Sequence, residues 1–423
     1  MLFAGGILCV IGLAWGAIYV FYGKWLMVEL MALAIVLGVC LLVLTCRGLS
    51  YLAAIVAVHT LIPLIILMCL FDSPGLGVAR SWHMYFIPVA AGAILVFRKS
   101  GCYLRFFLPG IALIACAFFA AGTFSFPMGD AAPPAEIRSA AVWINAFTAL
   151  GALAVVLFLM QLDLSERRAW ETDLRAALAK GHFYLAYQPQ VGRDGKVYGA
   201  EALLRWRDPR RGKVPPAEFI PFAEETGLIG PIGEWVLREA TGQIARWAEN
   251  PATERLTLSV NVSTSQFHQP SFVADVIEIL KRSNAPASRL KLELTESVFN
   301  VDLDGTVRKM EALRDLGIRL SLDDFGTGYS SLSVVRKLPL DELKIDQSFV
   351  REVAENASDK AIVQTLVSLG RSLNLFLIAE GISEEEQFKI LRQAGCNAFQ
   401  GYFFGVPVRI EEFEALYIRG ANS

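Results

Sequence analysis

The chain has 423 residues, 54% of them hydrophobic, and a mean hydropathy of +0.45, which is too apolar for an average soluble protein. Residues 1–162 contain seven Lys or Arg and four Asp or Glu, whereas the remaining 261 residues contain 32 and 37. We therefore expect a membrane part followed by a soluble part large enough for one core. The net charge of −5 on the soluble part argues against non-specific electrostatic binding to nucleic acid, so no DNA binding is expected.

The cysteines exclude two further classes of protein. Six of the seven lie in the apolar part, none forms a C-x-x-C pair, and Cys396 is alone in the soluble part. This pattern fits neither a disulfide framework nor a zinc site, and it is typical of a reducing compartment.

Six apolar segments predict an integral-membrane helical domain at residues 1–162. Each is close to the ~20 residues that cross a bilayer. They lie at residues 2–22, 25–45, 49–71, 82–97, 102–124 and 140–162. The fourth segment is the shortest, and a re-entrant segment there would leave five spans.

The basic residues between these segments predict the orientation of the chain. Those on one side of the membrane are Arg47, Arg98, Lys99, Arg167 and Arg168. Those on the other side are Lys24, Arg80 and Arg138. Because loops rich in Lys and Arg stay in the cytoplasm, we expect both termini and the soluble part to be cytoplasmic.

Residues 163–180 predict a charged helix that links the two parts. Its apolar residues Leu164, Trp170, Leu174 and Leu178 form one stripe at helical spacing. Two roles remain open for this stripe: the helix relays movement or dimerises, or it packs on the domain that it enters. The soluble domain is then expected at residues 181–423.

In the soluble part, short apolar runs alternate with amphipathic stretches. The runs are YLAYQPQV, VYGAEALLRW, LTLSVNVS, LKLELTES, IRLSLDDFG, ELKIDQSF, LFLIAEGIS and NAFQGYFFG. Eight strands with helices between them in roughly 245 residues match a TIM-like (β/α)8 barrel, for which about 250 residues is typical. An open doubly wound sheet is the alternative. We favour the barrel because it brings the polar ends of all the strands to one rim.

The candidate site consists of polar residues that fall in or just after different apolar runs. They are Glu201, Asn261, Glu293, Asp323, Asp324, Lys344, Glu380 and Gln400. The clustered carboxylates would repel one another unless cations neutralised them, and oxygen donors without clustered His or Cys suit Mg²⁺ or Mn²⁺ rather than zinc. Two such ions generate hydroxide at neutral pH and hold phosphoryl oxygens, which suits phosphodiester hydrolysis.

Two basic residues would complete this chemistry. Lys344 could orient or deprotonate the water, and Arg205 could grip a phosphate with two hydrogen bonds. Taken singly, each residue also has an ordinary explanation: Glu293 and Glu296 could cap a helix, and Arg205 could pair with a surface acid. The placement of so many polar residues at successive strand ends favours a site.

Seven motifs carry a resemblance to a known family. EALLR (201–205), VNVS, ELTES, DDFGTGYSSL, LKIDQSFV, AEGIS and QGYFFGVP occur in this order, and through them residues 175–415 resemble the EAL family of cyclic-di-GMP phosphodiesterases. The resemblance implies a barrel, often a homodimer, that hydrolyses cyclic-di-GMP to the linear dinucleotide pGpG with two divalent cations, Mg²⁺ or Mn²⁺. With the apolar half as anchor in the lipid bilayer, it implies a bacterial inner-membrane protein.

The resemblance also implies roles for single residues. The first metal would be held by Glu201, Asn261, Glu293 and Asp323. The second would be held by Asp323, Asp324 and Glu380. Lys344 would contact the nucleophilic water, and Glu296 would hold the DDFGTGYSSL loop. The substrate groove would be lined by Gln188, Arg205, Asp346 and Gln400.

Two positions depart from the family pattern. Ser383 stands where the family usually has the second Glu of E-G-V-E, and Val406 replaces a commonly basic residue before Pro407. Neither is an implied metal ligand, so we expect an active enzyme.

Two other functions are the alternatives. The first is a catalytically silent receptor that binds cyclic-di-GMP and signals to a partner. The second is a transporter with a regulatory barrel, which the scarcity of intramembrane charge disfavours. No G-G-D-E-F string is present in the chain, so we expect it to degrade the messenger and not to make it.

Overall fold

The computed structural model describes residues 1–72, 80–98, 100–122, 135–300, 302–326 and 332–419. Within it the chain forms two compact units, Met1–Glu166 and Arg167–Ser423. We call the first the helical unit and the second the barrel unit.

The helical unit contains apolar α-helices. Their bounds are α1 Leu2–Phe21, α2 Trp25–Cys46, α3 Ser50–Phe71, α4 Phe86–Val96, α5 Leu108–Ala121 and α6 Ala135–Lys180. A 3₁₀ turn at Trp82–Tyr85 precedes α4, and a π turn at Tyr103–Phe107 precedes α5. Within the described residues, five helices are long and apolar enough to cross a membrane, whereas the apolar helix Trp82–Val96 is shorter. The predicted all-helical amino-terminal region is confirmed, including its short fourth segment.

Side chains in the helical unit are distributed as expected for helices in lipid. Large apolar residues point away from the protein, with exposed fractions of 62% at Leu13, 68% at Trp143 and 69% at Phe147. Helices α1 and α2 approach closely at Gly38, where an added Cβ would lie 2.8 Å from the Gly5 carbonyl oxygen. Close approach at small residues is typical of helices that pack within a bilayer.

Helix α6 is longer than the sequence predicts. We expected one helix at residues 140–162 and a separate one at 163–180, whereas the structure has one 46-residue helix at Ala135–Lys180. The change from apolar to charged residues near Leu162 alters the surroundings of the helix but not its backbone hydrogen bonds, so it does not end the helix. The boundary between the two units falls inside α6, between Glu166 and Arg167.

The end of α6 belongs to the barrel unit and packs on its other apolar residues. Trp170 is stacked on Phe222 with ring centroids 4.9 Å apart, and it also contacts Trp206 edge to face at 5.8 Å. Leu174 is fully buried in the same apolar cluster. Of the two roles left open for the apolar stripe, the structure therefore supports packing on the domain that follows.

The barrel unit is built on one closed sheet. Its strands are β1 Phe183–Gly192, β2 Val197–Asp208, β3 Gly212–Val214, β4 Thr257–Val262, β5 Leu290–Thr295, β6 Arg319–Phe325, β7 Glu342–Ile345, β8 Phe376–Ala379 and β9 Ala398–Phe399. The strand order is β1-β9-β8-β7-β6-β5-β4-β2-β3, and the pairing of β1 with β2 closes the barrel while β3 only extends β2. The predicted barrel of eight strands is confirmed.

One strand departs from the parallel arrangement of a regular (β/α)8 barrel. Strand β1 is antiparallel to both of its neighbours, β2 and β9, whereas the pairs from β2 through β4 to β9 are parallel. Only residues 193–196 separate β1 from β2. A parallel connection needs a dozen or more residues, so this short connection can only form a hairpin.

Helices cover the outside of the barrel. Their bounds are α7 Pro216–Glu225, α8 Ile229–Ala248, α9 Thr264–Phe267, α10 Phe272–Ser283, α11 Leu303–Asp315, α12 Leu332–Val335, α13 Gln347–Arg351, α14 Ala357–Ser372, α15 Glu385–Ala394 and α16 Ile410–Glu414. The apolar faces of these helices bury one side of each strand: on β5, Leu292 and Leu294 are fully buried in this core. Because side chains alternate along a strand, the polar residues between them point into the barrel.

Candidate active site

The interior of the barrel brings together polar side chains from seven strands or strand ends. Glu201 lies on β2, Asn261 on β4, Glu293 on β5, Asp323 on β6 and Lys344 on β7. Glu380 follows β8 directly, and Gln400 follows β9 directly. Each of these elements supplies one inward-facing side chain at or near the end where the parallel strands finish. The sequence prediction placed these residues on the same strands.

Lys344 lies at the centre of this group and is fully buried. Its Nζ is 2.5 Å from Glu293 Oε2, 2.5 Å from Glu380 Oε1 and 3.1 Å from Asp323 Oδ1. Glu201 Oε2 is further away, at 3.9 Å. We call Lys344 and these four acids the carboxylate cluster.

Asp323 and Asp324 are neighbours in the chain, so on a regular strand they would face opposite sides of the sheet. The register of β6 against β7 shifts here: Leu322 pairs with Leu343, and Phe325 pairs with Ile345. Two residues of β6 therefore oppose one residue of β7, which is the arrangement of a β-bulge. Asp324 has a φ of 54°, in the left-handed region. The bulge allows two adjacent acids to lie on the same rim.

Amide side chains fix the position of Glu201. Asn261 Nδ2 donates to Glu201 Oε1 at 2.6 Å, and Gln400 Nε2 donates to Glu201 Oε2 at 2.5 Å. Gln400 Nε2 also donates to Gln188 Oε1 at 3.2 Å. Strand β1 carries Gln188 directly opposite Glu201 in the β1–β2 pairing. The structure thus joins two predicted groove residues to a predicted metal ligand.

Burial and charge shift the pKa values of the cluster. Burial is the main reason that the pKa of Glu293 is raised to about 8; Lys344 lowers this pKa, and the charges of Glu201 and Asp323 raise it. Burial also raises the pKa of Glu380 well above its usual range, and the charge of Asp323 raises it further. For Lys344, the surrounding acids outweigh the effect of burial, so its pKa lies well above that of a free lysine.

Glu201 and Asp324 respond differently. Burial alone would raise the pKa of Glu201, but Lys344 and the amides of Gln400 and Asn261 together lower it. Burial, followed by the charges of Asp323 and Asp346, raises the pKa of Asp324 to about 6. The site therefore contains one carboxylate that is stabilised in its ionised form and several that are not.

The structure brings Asp346 and Glu296 to this rim but leaves Arg205 further out. Asp346 lies at the start of α13, where its carboxylate accepts from the backbone N–H of Ser348 at 2.9 Å. Glu296 Oε1 accepts from the Gly326 N–H at 3.2 Å, at the beginning of the DDFGTGYSSL loop. Residues 327–331 of that loop lie outside the described residues.

Arg205 is half-buried on the same face of β2 as Glu201, four residues further along. This places it roughly 13 Å beyond Glu201 along the strand. Its guanidinium donates to the Leu204 carbonyl at 2.9 Å. The side chain is thus at the outer part of the rim and not within the carboxylate cluster.

The two positions that depart from the family pattern lie outside the cluster. Ser383 precedes α15, where its N–H donates to Gln387 Oε1 at 2.8 Å and its hydroxyl donates to the same oxygen at 3.3 Å. Val406 is 51% exposed. Ser383 therefore supports the start of a helix.

The donors of the cluster fit hard divalent cations. Four carboxylates share one ammonium group, and Glu293 Oε1 is buried without a hydrogen-bond partner. Carboxylate and amide oxygens are the ligands that Mg²⁺ and Mn²⁺ prefer. Among the described residues, no three Asp, Glu, His or Cys side chains converge on one point that could hold a metal ion, because the four acids point at Lys344. In this arrangement, Lys344 is the cation that the four acids share.

Sequence reasoning missed a second polar layer in the barrel interior. Gln190, Lys291 and Glu342 are buried there, with exposed fractions of 0%, 1% and 4%. A signal for this layer was present in LKLELT (290–295), where Lys291 alternates with leucines and so shares a face with Glu293.

Comparison with known proteins identifies the family. The model of the EAL domain matches residues 171–407. The bifunctional diguanylate cyclase/cyclic di-GMP phosphodiesterase MucR of Pseudomonas aeruginosa is 44% identical over 257 residues, which are 60% of this chain and 37% of that protein. The cyclic di-GMP phosphodiesterase NbdA of the same organism is 39% identical over 251 residues, which are 58% of this chain and 32% of that protein.

A solved structure supports the same assignment. The phosphodiesterase PaMucR in complex with c-di-GMP has a TM-score of 0.56 and 43% sequence identity, and the match covers 58% of this chain and 99% of that one. This chain spans about a third of the MucR and NbdA proteins, 37% and 32% of their lengths. The family model covers more than half of this chain. The chain belongs to the EAL-domain family.

Proposed function

We propose that this protein is a membrane-anchored enzyme that hydrolyses cyclic-di-GMP to linear pGpG and so lowers the level of this messenger. The observation that carries the proposal is the carboxylate cluster, in which four acids surround Lys344 at the end of the barrel where the parallel strands finish. The names of the relatives, which are cyclic-di-GMP phosphodiesterases, support the substrate.

The proposed cofactors are two divalent cations, Mg²⁺ or Mn²⁺. Glu201, Asn261, Glu293 and Asp323 would hold the first. Asp323, Asp324 and Glu380 would hold the second. When bound, such ions neutralise clustered carboxylates and lower the pKa of water at the phosphodiester.

The protein side chains would bind and orient the reactants. The acids keep the pKa of Lys344 high, so Lys344 is a hydrogen-bond donor that orients the attacking water and offsets phosphate charge. This favours orientation over deprotonation by Lys344. Arg205, on the outer rim, would bind a substrate phosphate with two hydrogen bonds. Gln188, Asp346 and Gln400 would line the groove, and Glu296 would hold the loop that begins at Gly326.

We further propose the domain boundaries and the location in the cell. Residues 1–162 would form the integral-membrane domain, residues 163–180 the linker and residues 181–423 the phosphodiesterase domain. The five long apolar helices are those of a membrane-anchored protein. The distribution of basic residues supports the bacterial inner membrane with the barrel in the cytoplasm. The barrel would act as a homodimer.

A silent receptor for cyclic-di-GMP is the second candidate, and it rests on Ser383. The side chain of Ser383 binds Gln387 at the start of α15, so the Glu-to-Ser departure alters a helix end and not the carboxylate cluster. The metal donors and Lys344 are all present. These observations favour the enzyme.

The full-length protein, purified in detergent, tests the proposal. It is incubated with cyclic-di-GMP and Mg²⁺ or Mn²⁺, and pGpG is followed by chromatography. We expect turnover that EDTA abolishes and added Mg²⁺ or Mn²⁺ restores. Binding of cyclic-di-GMP without turnover would establish the receptor instead.

Variants locate the site in the same assay. Glu201→Ala and Lys344→Ala are each expected to lower kcat by about 100-fold or more, because the first removes a proposed metal ligand and the second removes the donor that offsets phosphate charge. Glu278→Ala is the matched control, since the ion pair of Glu278 with Arg282 lies on the exposed face of α10, away from the carboxylate cluster. Full activity of Glu201→Ala or Lys344→Ala would show that the reaction occurs elsewhere.

A further inference from the structure

The second polar layer of the barrel interior lies beneath the carboxylate cluster. Lys291 Nζ is 3.2 Å from Glu342 Oε2 and 3.3 Å from Glu342 Oε1, so the two buried charges form an ion pair. Lys291 Nζ also donates to Gln190 Oε1 at 2.9 Å. None of these three residues takes part in the proposed reaction.

A chain of hydrogen bonds joins this layer to the site. Gln190 receives one hydrogen bond from Lys291 at its Oε1 and donates from its Nε2 to Gln400 Oε1 at 3.0 Å. Gln400 in turn donates from its Nε2 to Glu201 Oε2 at 2.5 Å. Lys291 is thus connected to Glu201 through two amide side chains, and every bond of the chain is buried.

The direction of this chain is fixed at both ends. A lysine ammonium only donates hydrogen bonds, and an ionised carboxylate only accepts them. Lys291 therefore requires the oxygen of Gln190, which leaves the NH₂ of Gln190 to face Gln400. Gln400 must then present its oxygen to Gln190 and its NH₂ to Glu201. Without Lys291, the oxygen of Gln190 would lose the donor that holds it, and the NH₂ of Gln190 could turn away from Gln400.

We propose that Lys291 is a positioning residue for the reaction, acting through Gln190 and Gln400 to hold the Glu201 carboxylate in place. The inference rests on the proposed function, in which Glu201 is a metal ligand and Gln400 lines the groove. Residues that orient metal ligands by hydrogen bonding typically change metal affinity or activity by about 10- to 100-fold when substituted.

A purely structural role for Lys291 predicts a different result. In that case Lys291 only neutralises Glu342, and the loss of activity on substitution would follow the loss of stability. Removing one member of a buried ion pair is strongly destabilising, whereas replacing both by apolar residues of similar volume is often close to neutral. The double variant Lys291→Met/Glu342→Met therefore separates the two roles.

The experiment compares variants of the full-length protein in detergent. Glu342→Gln leaves the hydrogen bond from Lys291 to Gln190 in place, and we therefore expect kcat within about twofold of wild type. Lys291→Met/Glu342→Met should melt close to the wild-type temperature, yet its kcat should fall about 10-fold or more. Gln190→Glu keeps an acceptor for Lys291 but cannot donate to Gln400, so it should lower kcat to a similar extent.

Three outcomes overturn the proposal. The first is wild-type kcat in a folded Lys291→Met/Glu342→Met variant. The second is wild-type kcat in a folded Gln190→Glu variant. The third is a kcat for Glu342→Gln as low as that of the double variant, because loss of the ion pair alone would then explain the effect.

A structural measurement keeps this test separate from the proposed function. Wild-type protein that turns over no cyclic-di-GMP would refute the proposed function, whatever Lys291 does. In that event the positions of Gln400 and Glu201 are compared in crystal structures of wild type and of the Gln190→Glu variant. Separation of Gln400 Nε2 from Glu201 Oε2 in the variant is expected, and an unchanged contact refutes the positioning role.

Discussion

Lys344 carries one positive charge among four carboxylates, and this imbalance governs the chemistry of the site. Further cations in the cluster would reduce the repulsion among these acids. Burial and mutual repulsion otherwise disfavour the ionised forms of Glu293 and Glu380 and raise the pKa of both. Binding of divalent cations is therefore coupled to the release of protons from the cluster.

This coupling predicts a pH dependence of stability. In the unfolded chain Glu293 has an ordinary pKa of 4.5, whereas in the folded protein its pKa is about 8. A raised pKa contributes stability below the unfolded value, and that contribution is lost as the pH rises through about 8. We expect the metal-free protein to melt at a lower temperature at pH 8 than at pH 6, and Mg²⁺ to raise the melting temperature more at pH 8.

Glu293→Gln is the control for this prediction. The neutral amide removes the contribution of Glu293 to the pH dependence while keeping the size of the side chain, so the difference between pH 6 and pH 8 should shrink. Glu380 shifts in the same direction, so some dependence should remain. Equal stabilisation by Mg²⁺ at both pH values would contradict the coupling.

The backbone at Asp324 predicts different effects for two substitutions. With a φ of 54°, Asp324 occupies a region that Asn tolerates and that costs other residues about 1–2 kcal/mol. We expect both Asp324→Asn and Asp324→Ala to lower activity at saturating Mg²⁺, because both remove a proposed metal ligand. Only Asp324→Ala should also lower the free energy of unfolding, by about 1 kcal/mol relative to Asp324→Asn. Urea unfolding of the two proteins measures the difference, and equal stabilities would refute the proposed strain.

At the scale of elements, the last turns of α6, which belong to the barrel unit, pack on the rest of that unit through aromatic contacts. Trp170 is stacked on Phe222 and contacts Trp206, and the guanidinium of Arg211 lies 4.3 Å from the centroid of its ring. Trp170 therefore helps to fix the last turns of α6, together with the buried Leu174 and the ion pair of Asp173 with Arg211. The chain that leads into β1 is held by the same contacts.

Trp170→Ala is expected to lower the free energy of unfolding of the barrel unit by about 3–5 kcal/mol, the usual cost of removing a buried aromatic side chain. Arg175→Ala is the matched control on the same helix, since its ion pair with Glu171 is exposed and contributes about 0.5 kcal/mol or less. Chemical unfolding followed by tryptophan fluorescence reports both. A Trp170→Ala protein as stable as Arg175→Ala would show that α6 is not held by this contact.

The strands and the rim residues could be predicted from the sequence, because a buried strand followed by a polar residue leaves a local pattern. The pattern K-L-E-L in β5 illustrates this: Leu292 and Leu294 face the helices while Glu293 faces inward. The bulge at Asp323 and Asp324 could not be predicted, since it depends on the backbone angle of one residue and on the register of β7.

Two further features were missed for physical reasons. The continuity of α6 depends on backbone hydrogen bonds, which do not change where the side chains become polar near Leu162. The sequence pattern therefore does not show whether one helix or two cover this region. The layer formed by Gln190, Lys291 and Glu342 brings together three distant stretches of sequence, so only the closed barrel reveals that they are in contact.

At the scale of the whole molecule, the number of membrane crossings determines the location of the amino terminus. Helix Trp82–Val96 is about 22 Å long at 1.5 Å per residue, shorter than the ~30 Å hydrocarbon core. Arg98 follows this helix, and Arg80 precedes it. If the helix crosses, Arg98 and the adjacent Lys99 lie in the cytoplasm and Arg80 lies on the other side, so the more basic end is the cytoplasmic one, as the positive-inside rule requires.

We therefore expect six crossings, with both termini in the cytoplasm. Green fluorescent protein fused before Met1 or after Ser423 should fluoresce in both cases, whereas alkaline phosphatase should be inactive at both ends. A phosphatase that is active only at the amino terminus would indicate five crossings. A phosphatase that is active after Ser423 would place the barrel outside the cytoplasm and refute the proposed orientation.

The reversed direction of β1 determines the face at which the chain reaches the barrel. In a barrel whose strands are all parallel, the first strand begins at the face opposite the active site. Here Phe183, the first residue of β1, is paired with Trp206 near the end of β2, so the chain from α6 arrives at the catalytic face. From there a single hairpin leads to Gln188 and to its partner Glu201. The end of α6 is thus joined to the residues beside Glu201 by strand β1 alone, on the same face of the barrel.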